Sequence, residues 1–367
     1  MTKNGFASGQ YDYMKKMAQL YDKLQDDMSK KIFWARLQVD VTPDMERIMQ
    51  LVESGGNRVI AWREPFEAAS AEGKKVVLYG AGEVGKLMAE KLTLSHADFY
   101  AFCDRNKAGE TFFGKPTISP QEIIANSEQY IIIIVTLQYH KEVYKFLQDN
   151  GFPMTSVFDW WKDEEQYMET AYREFPELFK RGTAIVDAGC YDGYDTIRFS
   201  QWCEGGYSKI YAFEPDEKNY LRCKENIEAA NIPNVTLIQA GLSEFPGESS
   251  FMTSGPGSHL VEETEIKHNY IQQGLEHPLV QICALDNVVD TEIGLIKMDI
   301  EGAEFDALHG AKRVIQRDKP QLTICVYHRQ GDVLAIMDYI HSLVPEYRFW
   351  LRHYGFTEWD TILYAAI

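Results

Sequence analysis

Hydrophobic positions along the chain follow two rhythms. Up to about residue 72 they recur at helical spacing, with Met14, Met17, Leu20, Tyr21 and Leu24 on one stripe and Ile32, Phe33, Ala35 and Leu37 on the next. Thr42 and Pro43 read as the cap and first residue of a further helix, closed by Gly55-Gly56. Beyond residue 73, apolar runs of strand length alternate with amphipathic stretches: KVVLY (75–79), FYAF (99–102), YIIIIVT (130–136), TAIVDA (183–188), KIYAF (209–213), GLIKMD (294–299) and CVY (325–327). Continuous apolar strands separated by helices predict an α/β protein with parallel sheets. A helix over Asp332 to Leu343 and two alternating runs, YRFWLRHYG and DTILYAAI, predict a closing antiparallel pair. The charged connection 161–180 breaks at Pro176. Three parts are therefore expected: a helical leader (1–72), a small Rossmann-like α/β domain (73–165) and a larger Rossmann-like domain (166–367).

The larger domain opens with a strand, the turn Asp187-Ala-Gly189-Cys190-Tyr191-Asp192-Gly193, a helix, a second strand and then Glu214-Pro215. A dinucleotide site would show G-x-G-x-x-G here; D-x-G-x-x-x-G points to a cofactor without a pyrophosphate. Gly189 and Gly193 let the backbone turn sharply and approach a ligand. Glu214, one residue past its strand, can accept hydrogen bonds from both hydroxyls of a ribose, and Pro215 ends the strand. S-adenosylmethionine meets these demands, its ribose at Glu214 and its amino-acid head and sulfonium at the turn, with Asp187 adding favourable charge beside the sulfonium. Asp187, Glu214, Asp299 and His328 all fall at the carboxyl ends of strands, where open parallel sheets collect functional side chains. His328 is the expected general base, since an imidazole with an ordinary pKa near 6.5 exchanges protons near neutrality; Asp299 is expected to orient acceptor and cofactor. Lys297 could pair with a nearby carboxylate, and Glu304 reads as a helix-terminus carboxylate. Asp299, Glu301 and His328 carry no diagnostic metal spacing, and no metal is expected.

The segment GLIKMDIEGAEFDALHGAKRVI (294–315), with Ala212-Phe213-Glu214-Pro215 and Leu285-Asp286, closely resembles the FkbM family of S-adenosylmethionine-dependent methyltransferases. IK-x-D-x-EG-x-E is its most specific part, and the likeness runs from about 175 to 367. Cys190-Tyr191-Asp192 departs from the Ala-Asn-Ile common in that family. The resemblance implies a class I methyltransferase sheet of seven strands and O-methylation of a hydroxyl on a small molecule. It implies a cofactor site of Asp187, Gly189, Cys190, Tyr191, Asp192, Gly193, Glu214, Pro215, Ala240, Gly241, Ser258 and Asp299. The polar stretch 246–280, holding His259, His268 and His277, is expected to be a lid over the acceptor.

The small domain has its own fingerprint. Gly80-Ala-Gly82-Glu-Val-Gly85 follows its first strand, and Asp104 comes about 20 residues later, as a dinucleotide's ribose ligand would. Two readings stand, a second nucleotide site at Gly80, Gly82, Gly85 and Asp104, or a retained scaffold; no hydride-transfer constellation accompanies it.

A formal charge of −18 disfavours nucleic-acid partners. No apolar run nears the roughly 20 residues of a membrane helix, and no signal-like segment opens the chain. Six cysteines without C-x-x-C spacing read as reduced core residues of a cytoplasmic protein. The leader's apolar stripe reads as core or as a homo-oligomer interface.

Overall fold

A computed structural model describes residues 14–162, 170–252, 259–260 and 279–367. Ser258, His268 and His277, and most of the expected lid, lie outside the described residues. The chain divides into two units. One comprises the described residues up to Phe33 with Thr170–Arg352 and Asp360–Ile367; the other comprises Trp34–Glu169 with His353–Trp359. The boundary at Phe33 and Trp34 falls within the helix Asp27–Val41 of the expected leader.

The second unit holds a six-stranded sheet. Its strands are β1 (Lys75–Tyr79), β2 (Ala101–Cys103), β3 (Thr111–Phe112), β4 (Lys115–Ile118), β5 (Tyr130–Ile134) and β6 (Val157–Asp159), in the order β3-β4-β2-β1-β5-β6. All pairings are parallel except the β3–β4 hairpin. The isoleucine run of β5 is buried throughout, as a strand covered on both faces must be. In the helix Met45–Ser54 the cap is Asp44, whose carboxylate accepts the Arg47 N–H at 2.9 Å. The expected cap, Thr42, lies two residues too early, and aspartate supplies the same acceptor.

The first unit is built on a seven-stranded sheet. Its strands are β7 (Ala184–Ala188), β8 (Ile210–Phe213), β9 (Val235–Ile238), β14 (Ile293–Met298), β15 (Gln321–Cys325), β16 (Arg348–His353) and β17 (Thr361–Ala366). The order is β16-β17-β15-β14-β7-β8-β9, parallel from β15 to β9, with β17 antiparallel to β15. A small sheet joins β10 (Gly241–Leu242), β11 (Gly247–Met252), β12 (His259–Leu260) and β13 (Leu279–Cys283). The start of the expected lid is therefore strand: β11 pairs with β13 antiparallel from Gly247 to Ser250. Asp286 also has a structural task, its carboxylate oxygens accepting the N–H groups of Arg313 and Val314 at 2.7 and 2.9 Å where the helix Lys312–Asp318 begins. Among the described residues no helix is long and apolar enough to cross a membrane.

Candidate active site

The sheet order sets β15, β14 and β7 side by side with β8 next, so the ends that carry His328, Asp299, Asp187 and Glu214 follow one another along one edge. β7 delivers the chain into the glycine turn. Gly189 and Gly193 have φ of 76° and 82°, in the left-handed region that glycine enters without strain. Their missing side chains make room for protein rather than ligand. A Cβ at Gly189 would lie 1.9 Å from the Asp299 carbonyl oxygen, and one at Gly193 would lie 3.0 Å from Cys223 Sγ.

The turn's backbone is held from two sides. The N–H groups of Gly189 and Cys190 both donate to the Phe213 carbonyl at 3.0 Å. Buried Lys297 donates to the Gly189 carbonyl at 2.8 Å and lies 3.1 Å from the Asp187 carboxylate. The β14–β7 register explains this pair, because it sets Lys297 opposite Asp187. Burial works against the Lys297 ammonium, but Asp187, Asp299 and Asp195 outweigh it and hold it charged. Asp187 also accepts from the Thr196 hydroxyl at 2.6 Å and has no exposed surface. Asp187, expected to place its charge beside the sulfonium, thus lies in the core against Lys297 and Thr196.

Glu214 stands at the end of β8 with only 5% exposure. One oxygen accepts the Tyr191 N–H and the other the Asp216 N–H, each at 3.0 Å. Burial raises its carboxyl to about 7 against those hydrogen bonds. The Asn219 side chain hydrogen-bonds the same carboxyl, which leaves acceptor capacity for a ligand hydroxyl. Cys190 packs inward, its sulfur 3.5 Å from Cys223 Sγ, while Tyr191, Asp192 and Pro215 stay half-buried. Asp192 lies 3.3 Å from exposed Arg222. Ala240 and Gly241 are buried at the β9–β10 connection, beyond the end of β9.

At the end of β14, Asp299 accepts the Tyr172 hydroxyl at 2.7 Å. Burial pushes the Asp299 carboxyl up, yet Lys297, His328 and the Tyr172 hydrogen bond together hold it below its usual value. Tyr172, in the left-handed region at φ 65°, was not singled out in the sequence. His328 sits among acids: Nδ1 lies 2.9 Å from Glu304, and Nε2 lies 3.5 Å from both Asp299 and Glu301. Burial alone would lower its pKa, but Glu304, Asp299 and Glu301 raise it to about 10. These acids favour the ring that carries both protons, a form without a lone pair for the base role expected of His328. Glu304 opens the helix Glu304–His309, as expected of a helix-terminus carboxylate, and accepts the Ile300 N–H at 2.9 Å; it is 1% exposed and also pairs with that ring.

Glu301 carries what His328 lacks. Its side chain is 31% exposed, and burial raises its carboxyl to about 7, with His328 lowering it and Asp299, Glu304 and Asp360 raising it further. It occupies a tight turn with Gly302, at φ of 56° and 96°, before the helix Glu304–His309. The sequence signal was the acid beside a glycine; the convergence of three other acids on it was not visible. Candidate ligand atoms of Asp299, Glu304 and His328 also fall within 4.8 Å of one another.

Residues 187–357 match the model of the methyltransferase FkbM domain. The 2-O-methyltransferase NoeI of Sinorhizobium fredii (strain NBRC 101917 / NGR234) is 27% identical over 184 residues, spanning 45% of this chain and 74% of that protein. Methyltransferase 1 of Beauveria bassiana (strain ARSEF 2860) is 24% identical over 165 residues, spanning 40% of this chain and 65% of its own length. Among solved structures, the methyltransferase FkbM of Methylobacillus flagellatus KT aligns over 92% of this chain and 99% of that one, at 18% identity and a TM-score of 0.48.

Proposed function

From the FkbM methyltransferase domain that this methyl-transferring enzyme carries over residues 187–357, we propose that it moves a methyl group from S-adenosylmethionine to a hydroxyl of a small molecule, a sugar or other secondary metabolite. The observation that carries this reading is the acidic edge at β14 and β15, where partly exposed Glu301 and Asp299 each lie 3.5 Å from His328, and where burial pushes the Glu301 carboxyl up to about 7. Attack by oxygen needs the hydroxyl proton removed as the new bond forms, and a base with a pKa near the working pH is suited to that step. The relative named as a 2-O-methyltransferase favours oxygen as the acceptor atom.

The residues fit the cofactor. Glu214 is a buried carboxyl at the end of β8 that accepts from Tyr191, Asp216 and the Asn219 side chain and keeps acceptor capacity for a ribose hydroxyl. The acids around His328 outnumber its charge, which suits a cationic group nearby. When bound, the cofactor supplies an electrophilic methyl on sulfur. That methyl would pass to the acceptor oxygen, with the carbon–sulfur electron pair left on sulfur. Glu301 accepts the hydroxyl proton. Asp299, held by Tyr172, orients the acceptor, and His328 fixes the Glu301 and Asp299 carboxylates by charge. Much of the rate then comes from alignment.

Calorimetric titration with S-adenosylhomocysteine tests the cofactor, with one-to-one binding expected. Methyl-labelled cofactor with a panel of sugars, alcohols and amines tests the acceptor, with label expected on oxygen. No binding of S-adenosylhomocysteine, or label on nitrogen alone, would overturn the reading.

A further inference from the structure

The sheet of the second unit has a crevice that methyl transfer does not use. β1 is followed by β2 on one side, while β5 lies on its other side, all parallel. The connections from β1 and β5 therefore leave in opposite directions, and at such reversals open parallel sheets take their ligands. A cleft of about 380 Å³ lies there, bounded by Gly80, Asp104, Arg105 and Thr136 at the strand ends and by Tyr139 and Phe146 from the chain after β5.

The three glycines beside this cleft do different work. Gly80 has φ 125°, and a Cβ there would lie 3.1 Å from Thr136 Cβ. A Cβ on Gly85 would lie 2.0 Å from the Gly80 carbonyl oxygen, so this glycine lets the helix Glu83–Leu94 pack against the turn. At Gly82 a Cβ would meet nothing within 4 Å. The first and third glycines close the turn, and the second leaves its backbone open to an approaching group. No side chain caps the helix that starts there.

Charge follows the same layout. Lys107 Nζ donates to the Ala81 carbonyl at 2.5 Å, which puts an ammonium beside the turn, and Arg105 is exposed at the cleft. Asp104 and Glu142 also line the cleft, so the cationic side of it is the one beside the turn, where Arg105 and Lys107 stand. Asp104 is held in place, one oxygen accepting the N–H groups of Asn106 and Lys107 at 2.8 and 3.3 Å and the other the Ala81 N–H at 3.1 Å, which leaves that second oxygen a lone pair for a sugar hydroxyl. Tyr139 and Phe146 supply aromatic side chains to the cleft lining.

We propose that this cleft binds a nucleoside 5′-diphosphate group, with its base against Tyr139 and Phe146, its ribose at Asp104 and its phosphates over Gly82 beside Arg105 and Lys107. A nicotinamide dinucleotide and a nucleotide-sugar both carry that group. The test is calorimetry on the full chain saturated with S-adenosylhomocysteine, titrated separately with ADP, NADH and UDP. One-to-one binding by at least one of them is expected, weakened tenfold or more in Gly82→Val and in Arg105→Ala. Both variants should melt as the native protein does and keep its affinity for S-adenosylhomocysteine. Binding of ADP and NADH marks a dinucleotide site, and binding of UDP alone marks a nucleotide-sugar site. No binding of any of the three, or binding unchanged in both variants, overturns the proposal.

Discussion

Replacing Glu301 by glutamine removes one ionisable oxygen and keeps the size and the tight turn. The carboxyl's rise to about 7 comes first from burial and then from Asp299, Glu304 and Asp360, against the lowering by His328. A base titrating near 7 is about one-tenth ionised at pH 6 and about nine-tenths at pH 8, so turnover at saturating substrate should climb roughly tenfold over that range. In Glu301→Gln, kcat should fall by ~10² to 10⁴, the usual worth of general-base assistance, and the pH dependence should flatten. Stability should move the other way. A carboxyl whose pKa is raised by folding stabilises the fold at low pH, and that contribution is lost as pH rises from about 4.5 through about 7. The variant should therefore melt higher than native protein at pH 8 while turning over more slowly. The assay is kcat against pH from labelled-methyl incorporation, with melting curves at pH 5 and 8 and the S-adenosylhomocysteine affinity as control. Native kcat and an unchanged pH profile in Glu301→Gln would refute the assignment.

Glu214→Ala should weaken S-adenosylhomocysteine binding by roughly 1.5 to 3 kcal/mol, as for lost charged hydrogen bonds; native affinity should rise with pH through about 7 as the carboxyl ionises, and calorimetry at pH 6 and 8 reads both. Lys297→Met strands the buried Asp187 carboxylate and should cost about 3 to 5 kcal/mol of stability in urea unfolding; a loss under 1 kcal/mol would mean that Asp187 takes up a proton instead. His328, raised from 6.5 to about 10, contributes stability that is whole below pH 6.5 and is lost as pH rises through 10, so melting temperature should fall between pH 8 and 10 in native protein and less in His328→Gln. Turnover should survive EDTA, and a loss restored by a divalent cation would assign Asp299, Glu304 and His328 as ligands in place of an ion-paired ring.

The sheet was legible because its central strands are continuous apolar runs, and strand ends then located Asp187, Glu214, Asp299 and His328 without any knowledge of their neighbours. What those four residues do was less legible, because it depends on partners far away in the chain. Asp187 needs Lys297, brought opposite by strand register. Asp299 needs Tyr172, 127 residues away in a connecting segment that carries no periodic signal. His328 is favoured in its doubly protonated form only because Asp299, Glu301 and Glu304 converge on it. Ionisation is a property of a neighbourhood, and the order of residues along the chain determines it only through the fold.

The two glycine turns make the same point from a closer comparison. Each follows the first strand of its sheet, and their patterns differ by an aspartate in place of the first glycine and by one residue more before the last. In the turn after β7 the protein fills the space itself: Gly189 abuts the Asp299 carbonyl, Gly193 abuts Cys223, Lys297 takes the Gly189 carbonyl and Glu214 takes the Tyr191 N–H. In the turn after β1, Gly80 and Gly85 are closed by protein, but the space over Gly82 is open and the helix beyond it has no side-chain cap. A closed turn leaves recognition to a carboxylate such as Glu214, which selects hydroxyls. An open turn offers backbone N–H groups, which select phosphate oxygens. A G-x-G-x-x-G turn and a D-x-G-x-x-x-G turn on similar sheets would thus serve ligands with and without phosphate, and the calorimetry on Gly82→Val and Glu214→Ala separates the two by losing one ligand at a time.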